Sequence, residues 1–273
     1  MRIEDKFEEL AERGEGAYMP HVYYGDPKEE FSKDLVMKLA ENGADLLEFG
    51  IPFSDPTADG PTFQESCERA LSNGVTPDAC IDAIRDLRGD GLEIPIVVTT
   101  YFNIPYIYGL DDFFTALDDA GAQGVILPNI PLEEAAPVTE VADEKGIDVI
   151  FQVTPNTSDS RLEKIASASS GFLYVINFAG VTGTRESLPE SVLEMIGKAR
   201  KYAEVPLMAG FGISSPSHAE ALVSEGVDGV ITGSALADIY TKNLENPWKT
   251  LSEVGEFAND LKMCCVAGYE ASI

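Results

Sequence analysis

Short apolar runs and longer amphipathic segments alternate along almost the whole chain. The first amphipathic segment places Ile3, Phe7 and Leu10 at helical spacing and precedes the first apolar run. Eight apolar runs follow, and a segment with helical periodicity comes after each of them. The predicted strands are 17–24, 45–49, 94–100, 124–127, 148–153, 172–176, 205–209 and 229–231. Apolar strands that alternate with amphipathic helices indicate parallel βαβ units.

Eight such units in roughly 250 residues favour a closed barrel over an open doubly wound sheet. We therefore predict the α/β fold class, as a (β/α)8 TIM barrel with an extra N-terminal helix. No Gly/Ser linker or change of composition interrupts the series, so residues 1–273 are expected to form a single TIM-barrel domain. In this architecture the loops after the strands carry the chemistry. The loops with unusual residues are 50–60, 177–188, 210–214 and 233–234.

The net charge is −28, with 47 acidic and 19 basic residues. The acidic residues are spread along the chain, which is typical of solvated helix faces. Such a charge argues against binding to nucleic acid and to anionic membranes, because both require basic patches. It suits a high-salt cytoplasm, where screening removes most of the self-repulsion. An ordinary acidic cytosolic protein is the alternative.

The cysteines and histidines give no metal-binding pattern. The four cysteines are Cys67, Cys80, Cys264 and Cys265, without C-x-x-C spacing, and His21 and His218 are the two histidines of the chain. A Cys/His metal site is therefore not expected. The N-terminal segment is charged and amphipathic rather than a signal peptide, and no apolar run approaches the length of a membrane span. We expect a cytoplasmic protein with reduced thiols.

Two carboxylates lie in unlike surroundings around the end of the second predicted strand. Strand alternation places Leu46 and Glu48 on one face and Leu47 and Phe49 on the other. Glu48 is thus presented among apolar neighbours, whereas Asp59 follows eleven positions later in a Gly/Pro/Asp loop. A dry and a solvated carboxylate can form an acid/base pair. A solvated loop after an ordinary strand has the same local pattern.

Two glycine-containing loops are placed where barrels bind phosphate. Residues 210–215 follow the seventh predicted strand, and residues 232–235 follow the eighth. Glycine lets the backbone approach an anion closely, and amides at the start of a helix point towards it. Either loop alone is also a common tight turn. Together, at these two positions, they predict a phosphate site, to which residues 180–185 are expected to add a third wall.

The motifs described above together resemble those of a known enzyme family. The segment Glu48-Phe49-Gly50-Ile51-Pro52-Phe53-Ser54-Asp55-Pro56-x-Ala58-Asp59-Gly60-Pro61-x-x-Gln64 closely resembles the signature of the tryptophan synthase alpha subunit family. The later loops of the family match in order and position at 180–183, 210–214 and 233–235. The leading helix, the turn at 25–27 and Asn103 fit as well, so the resemblance covers nearly the whole chain.

The resemblance implies a carbon–carbon lyase of tryptophan biosynthesis. The family cleaves indole-3-glycerol phosphate by a retro-aldol reaction, releasing indole and glyceraldehyde 3-phosphate. It needs no metal or organic cofactor for this step, since the pyridoxal phosphate of tryptophan synthase belongs to the beta subunit. That subunit is the expected partner, in an alpha2-beta2 complex.

The resemblance also assigns roles residue by residue. Glu48 is implied to be the acid/base catalyst, and Asp59 to bind the indole N–H. Tyr174 matches the active-site tyrosine, and Thr182 matches the threonine of the mobile loop, which pairs with the aspartate of the strand-two loop. The implied phosphate contacts are Gly183, Gly212, Gly233 and Ser234.

The chain departs from the family pattern at a few positions. His21 lies on the first predicted strand where the family usually has an apolar residue such as Phe, and we expect it to be a packed core histidine. Tyr23 and Tyr24 stand where Thr and a small or aliphatic residue are more common. Asn129 replaces an Asp after the fourth strand, which puts one loop contact in doubt.

Three other functions compete with the lyase. Indole-glycerol-phosphate synthase typically uses a lysine on a barrel strand, and no lysine falls inside a predicted strand here. Phosphoribosyl-anthranilate isomerase lacks the long loop after strand two. A catalytically idle subunit that only activates a beta partner is the third alternative, and retention of both Glu48 and Asp59 speaks against it.

Overall fold

The computed structural model describes residues 1–176, 188–210 and 212–272. Its strands all pair in parallel, in the order β5-β4-β3-β2-β1-β9-β8-β7-β6. They are β1 (Ala17–Tyr23), β2 (Leu47–Gly50), β3 (Ile96–Thr99), β4 (Gly124–Ile126), β5 (Asp148–Ile150), β6 (Gln152–Val153), β7 (Leu173–Ile176), β8 (Leu207–Gly210) and β9 (Gly229–Thr232).

The first and last strands of this order, β5 and β6, both lie within one predicted strand. The sequence predicted a single strand over 148–153, and the structure divides it at Phe151 into β5, which pairs with β4, and β6, which pairs with β7. The division arises because the Phe151 amide donates to the Ser169 hydroxyl (3.1 Å) while its carbonyl accepts from the Tyr174 amide (3.1 Å). Eight strand positions thus close a ring, which confirms the predicted TIM barrel.

Helices follow the strands as the periodicity predicted, and one more was not predicted. The helix that was not predicted is the short α5 (Asn103–Tyr108), which has Pro105 in its first turn, where proline is tolerated. The helices are α1 (Ile3–Arg13), α2 (Glu29–Glu41), α3 (Pro61–Ser72), α4 (Pro77–Gly89), α5 (Asn103–Tyr108), α6 (Leu110–Ala120), α7 (Ala136–Glu144), α8 (Asp159–Ala168), α9 (Glu190–Tyr202), α10 (Pro216–Ser224), α11 (Ser234–Tyr240) and α12 (Leu251–Ser272), with 3-10 turns at Leu132–Glu134, Thr241–Asn243 and Pro247–Thr250.

The N-terminal helix closes one end of the barrel. Ile3, Phe7 and Leu10 are buried in the cluster that fills the barrel interior, together with Met208 and Ile231. An ideal Cβ on Gly124, where β4 begins, would come within 2.9 Å of the Ile3 side chain, so α1 covers the ends at which the strands start. The opposite end of the barrel, where the strands end, is therefore the one that the βα loops surround.

The side-chain alternation predicted for the second strand is confirmed. Leu46 packs in the barrel interior, whereas Leu47 and Phe49 pack in the outer layer between the strands and the helices. Glu48, whose carboxylate contacts Thr99 and His21 on the two adjoining strands, points inward. None of the helices in the described ranges is long and apolar enough to cross a membrane.

Candidate active site

Glu48 lies deep in the end of the barrel where the strands finish. It is paired in register with His21 of β1 and with Val97 of β3, and its relative exposure is 2%. Oε1 accepts a hydrogen bond of 2.6 Å from the Thr99 hydroxyl, while Oε2 has no partner among the described residues. Because buried polar atoms are nearly always hydrogen-bonded, the free oxygen is a candidate for contact with a substrate.

Burial changes the acidity of Glu48. Desolvation raises its pKa from 4.5 to about 8, an effect that the hydrogen bond from Thr99 opposes and the charge of Asp59 reinforces. The carboxyl group therefore holds its proton at neutral pH and titrates slightly above it. A group that ionises near the working pH is suited to both donating and accepting a proton.

His21 lies directly beside this carboxyl group. Its Nδ1 is 3.3 Å from Glu48 Oε1, and its ring packs on Phe63 and Tyr23 with centroid separations of 4.5 and 4.9 Å. Burial lowers the pKa of His21 to about 3, so the ring is neutral. The histidine is packed and buried, as we expected, but its place is at the candidate catalytic group. This contact depends on the register between β1 and β2, which no local sequence pattern reveals.

Asp59 is held by two tyrosine hydroxyls. Tyr101 donates to Oδ2 at 2.6 Å and Tyr23 donates to the same oxygen at 3.1 Å. The Tyr101 hydroxyl in turn accepts from the Ala58 amide at 2.8 Å, which fixes the loop that carries the aspartate. Burial raises the pKa of Asp59, and the hydrogen bonds from the two tyrosines oppose this effect. Both tyrosines lie at or just after strand ends, and the sequence pattern did not indicate either of them as a site residue.

Aromatic rings connect the two carboxylates. Tyr23 packs edge-on against Phe63 at 5.2 Å, and Tyr101 stacks on Phe53 at 5.2 Å. Gly50 leaves space for the Tyr23 ring, because an ideal Cβ at this position would lie 2.5 Å from that ring. The resulting surface can hold a flat apolar group next to the carboxylates.

A cavity of about 260 Å³ contains four of the predicted site residues. Tyr174, Gly212, Gly233 and Ser234 line it, and His21 lies on the same wall. Gly212 has a φ of 66°, a left-handed conformation that favours glycine. An ideal Cβ on Gly233 would lie 2.3 Å from the Phe63 ring, so this position also requires glycine.

Two other predicted site residues lie outside this cavity. Glu48 and Asp59 do not line the cavity, and Glu48 is reached through His21, which does. Thr182 and Gly183 fall outside the described residues. No group of three or more Asp, Glu, Cys or His side chains within the described ranges could hold a metal ion.

The substituted position Asn129 keeps a structural contact. Its Oδ1 accepts from the Phe102 amide at 2.7 Å, and its amide group donates to Asn103 Oδ1 at 3.1 Å. Asparagine therefore connects the loop after β4 to the start of α5. Although Asn replaces the usual Asp at this position, these two hydrogen bonds of the loop are present.

Comparison of the sequence with known families gives one match over almost the full length. The family model described as "Tryptophan synthase alpha chain" matches residues 7–265. A tryptophan synthase alpha chain from Methanoregula boonei is 42% identical over 246 residues, which are 90% of this chain and 91% of that protein. One from Corynebacterium glutamicum is 39% identical over 265 residues, 95% and 94% of the two chains.

Solved structures show the same similarity. The tryptophan synthase alpha chain of Legionella pneumophila superposes with a TM-score of 0.88 at 31% identity and covers 97% of each chain. A structure of the tryptophan synthase α2β2 complex from Pyrococcus furiosus matches with a TM-score of 0.85 at 34% identity, over 90% of this chain and 98% of that one. The chain therefore belongs to the tryptophan synthase alpha chain family, the lyases that cleave indole-3-glycerol phosphate in the biosynthesis of tryptophan.

Proposed function

We propose that this chain cleaves indole-3-glycerol phosphate with Glu48 as its acid/base catalyst and Asp59 as the group that binds the indole N–H. The observation that carries the proposal is the buried carboxyl group of Glu48, whose Oε2 has no hydrogen-bond partner among the described residues and whose pKa is raised to about 8. Such a group can hold a proton at neutral pH, release it to a carbon atom and take another back.

A single carboxyl group can carry out both proton transfers of the reaction. Glu48 Oε2–H protonates the indole carbon that carries the glycerol chain, which leaves a carboxylate and places positive charge on the ring system. That carboxylate then takes the proton of the neighbouring hydroxyl group. The carbon–carbon bond breaks as the carbonyl of glyceraldehyde 3-phosphate forms, and its electron pair restores the aromatic ring. Glu48 ends the cycle protonated, as it began.

Asp59 is suited to stabilise the charge that develops on the ring. Both tyrosine hydroxyls bond to Oδ2, and no described residue donates to Oδ1. This oxygen is available to the indole N–H, whose acidity rises as the ring becomes positively charged. A fixed carboxylate in a partly buried site can contribute strongly to such stabilisation.

We assign the phosphate group to the glycine-lined cavity. Gly212, Gly233 and Ser234 border it, and the family resemblance adds Gly183. Thr182 keeps the role that the resemblance implies, which is to pair with the aspartate of the strand-two loop. In a chain with a net charge of −28, an anionic substrate needs local backbone amide donors to offset the repulsive field. Tyr174 lines the same cavity, and the charge of Glu48 adds to the burial that raises the pKa of its hydroxyl.

The partner that we propose is a tryptophan synthase beta subunit, in a cytoplasmic alpha2-beta2 complex. Each alpha chain of this complex would form a single domain over residues 1–273. The Pyrococcus furiosus relative is described as such a complex. The loop Phe53–Gly60 connects the candidate active site to the surface, and α5 beside it exposes Tyr106 and Ile107, with 67% and 83% relative exposure. Large apolar side chains exposed together are typical of an interface.

The release of indole tests the proposed function. We expect the isolated chain to release indole from indole-3-glycerol phosphate, and a beta subunit to raise the rate. The measurement is the absorbance or fluorescence of indole in high salt, with and without the beta subunit. A chain that activates the beta subunit but releases no indole in either case would be the idle subunit, and the lyase assignment would be wrong.

The acidic surface gives a prediction about stability. We expect the melting temperature to rise as KCl is increased from about 0.1 M to about 2 M, because the screening length falls from about 10 Å to about 3 Å or less over this range and weakens the repulsion among the 47 acidic residues. Calorimetry in KCl and in NaCl measures the effect. Full stability in dilute buffer, with no gain from either salt, would contradict adaptation to high salt.

A further inference from the structure

Two polar atoms at the open end of the barrel have no hydrogen-bond partner among the described residues. They are Glu48 Oε2 and His21 Nε2. Both side chains are more than nine-tenths buried, and the two residues are paired in register on adjacent strands. Because proteins rarely bury unpaired polar atoms, two of them on neighbouring residues indicate a site whose hydrogen bonds are completed by a ligand.

The second carboxyl oxygen of Glu48 is already engaged. Thr99 Oγ1 lies 2.6 Å from Oε1 and His21 Nδ1 lies 3.3 Å from it. Oε1 thus accepts from Thr99, and a hydrogen on His21 Nδ1 would also face it. This oxygen is a poor site for the proton of the neutral acid, because that proton would meet these donor hydrogens. The proton of neutral Glu48 is therefore left to Oε2.

We propose that His21 is a positioning residue for Glu48: its Nδ1–H donates to Oε1 together with the Thr99 hydroxyl, which confines the transferable proton to Oε2. The proposal rests on the proposed function, in which Oε2 delivers the proton to the indole ring. The 3.3 Å contact is long, and catalytic hydrogen bonds of this kind often shorten when substrate binds.

The surroundings of His21 fit this role. Burial lowers its pKa to about 3, so the ring is a neutral imidazole with one donor and one acceptor nitrogen. With Nδ1 as the donor, Nε2 is the acceptor. Nε2 lies over Gly50, where an ideal Cβ would approach it to 3.0 Å. The glycine therefore provides the room for the ring orientation that the proposal requires.

Four titratable groups face the His21–Glu48 pair and remain in place when His21 is replaced: Tyr23 on β1, Asp59 in the loop after β2, Tyr101 after β3 and Tyr174 on β7. Burial raises the pKa of each of these three tyrosines, so they stay neutral. Asp59 carries the charge that acts on Glu48. A change in the ionisation of Glu48 on replacement of His21 thus reports the lost hydrogen bond.

The test compares four variants. His21→Phe keeps an aromatic ring in the pocket formed by Phe63 and Tyr23 and removes the donor. His21→Asn places an amide nitrogen near the position of Nδ1, whereas His21→Gln places one near the position of Nε2. Thr99→Val removes the other donor to Oε1 without changing the shape of the side chain.

The expected readout is the pH dependence of indole release. A hydrogen bond to a carboxylate stabilises the charged form, so its loss raises the pKa of Glu48. We expect His21→Phe and Thr99→Val each to move the Glu48 limb of kcat/KM upward by about one pH unit. We expect kcat to fall by about tenfold while KM stays near the wild-type value. His21→Asn is expected to restore the wild-type limb, and His21→Gln is not.

The outcomes separate this proposal from the proposed function. A wild-type pH limb and kcat in folded His21→Phe, or equal behaviour of the Asn and Gln variants, overturns the role of His21 and leaves the lyase assignment intact. If the wild-type chain releases no indole, the ionisation of Glu48 is measured by infrared titration of its carboxyl band, as the difference between wild type and Glu48→Gln. An identical titration in His21→Phe and in wild type then overturns the proposal without any turnover.

Discussion

Replacement of Glu48 by glutamine is expected to reduce indole release by about 10²- to 10⁴-fold, while indole-3-glycerol phosphate still binds. The amide has nearly the same size and can still accept the hydrogen bond from Thr99, which lies 2.6 Å from Oε1. It cannot deliver a proton to the ring carbon or take one from the hydroxyl group. Steady-state kinetics of indole release and calorimetric titration of substrate binding measure the two quantities separately. Near-normal turnover would exclude Glu48 as the acid/base.

A matched control is Glu93→Gln, which removes an exposed carboxylate just before β3, at the opposite end of the barrel. This variant should keep wild-type kinetics. If both variants lose activity equally, the loss comes from charge or folding rather than from proton transfer.

The same variant pair reports the ionisation of Glu48 through stability. The pKa of Glu48 is about 8 in the folded chain, above the ordinary 4.5, so the folded state binds the proton more tightly than the unfolded state does. Glu48 therefore lowers the free energy of unfolding progressively as pH rises from 4.5 to 8, and the full loss persists above pH 8. We expect Glu48→Gln to match wild type near pH 4.5 and to exceed it by a few kcal/mol at pH 9 in urea unfolding.

The sequence predicts the barrel and the direction of Glu48 because both follow from local periodicity. Alternation along the second strand depends only on the period of two, and it placed Glu48 inward, as found. The sequence did not predict that β1 would bring His21, or β3 would bring Thr99, to the same carboxyl group. Those contacts depend on the stagger between neighbouring strands, which no local pattern encodes.

The surroundings of Asp59 show the same limit. Its loop could be recognised from the sequence, but the two hydroxyls that bind it come from β1 and from the residue after Thr100, 36 and 42 positions away. A signal was present, since Tyr23 replaces the more usual threonine and occupies the same strand face as His21. Reading that face as part of the site requires knowing that it lies opposite the loop, which only the folded chain supplies.

Replacement of Asp59 by asparagine is expected to lower kcat/KM by about 10²- to 10³-fold, because a neutral amide cannot stabilise positive charge on the indole ring. The variant retains an oxygen that can accept from Tyr101 and Tyr23, so the loop should keep its position. Burial raises the pKa of Asp59 above its ordinary value, so wild-type activity should fall on the acid side as this carboxylate is protonated. That acid limb should be absent from the profile of Asp59→Asn.

Tyr101→Phe is the control that separates charge from geometry. It removes the 2.6 Å hydrogen bond that lowers the pKa of Asp59, so the acid limb should move to higher pH while activity on its plateau changes less than in Asp59→Asn. The pH profile of kcat/KM for both variants is the measurement. If Asp59→Asn stays within about threefold of wild type across this range, well under the loss expected of a charge-stabilising group, the carboxylate does not stabilise the ring, and the indole N–H must be bound elsewhere. If the limb does not move in Tyr101→Phe, it belongs to a group other than Asp59.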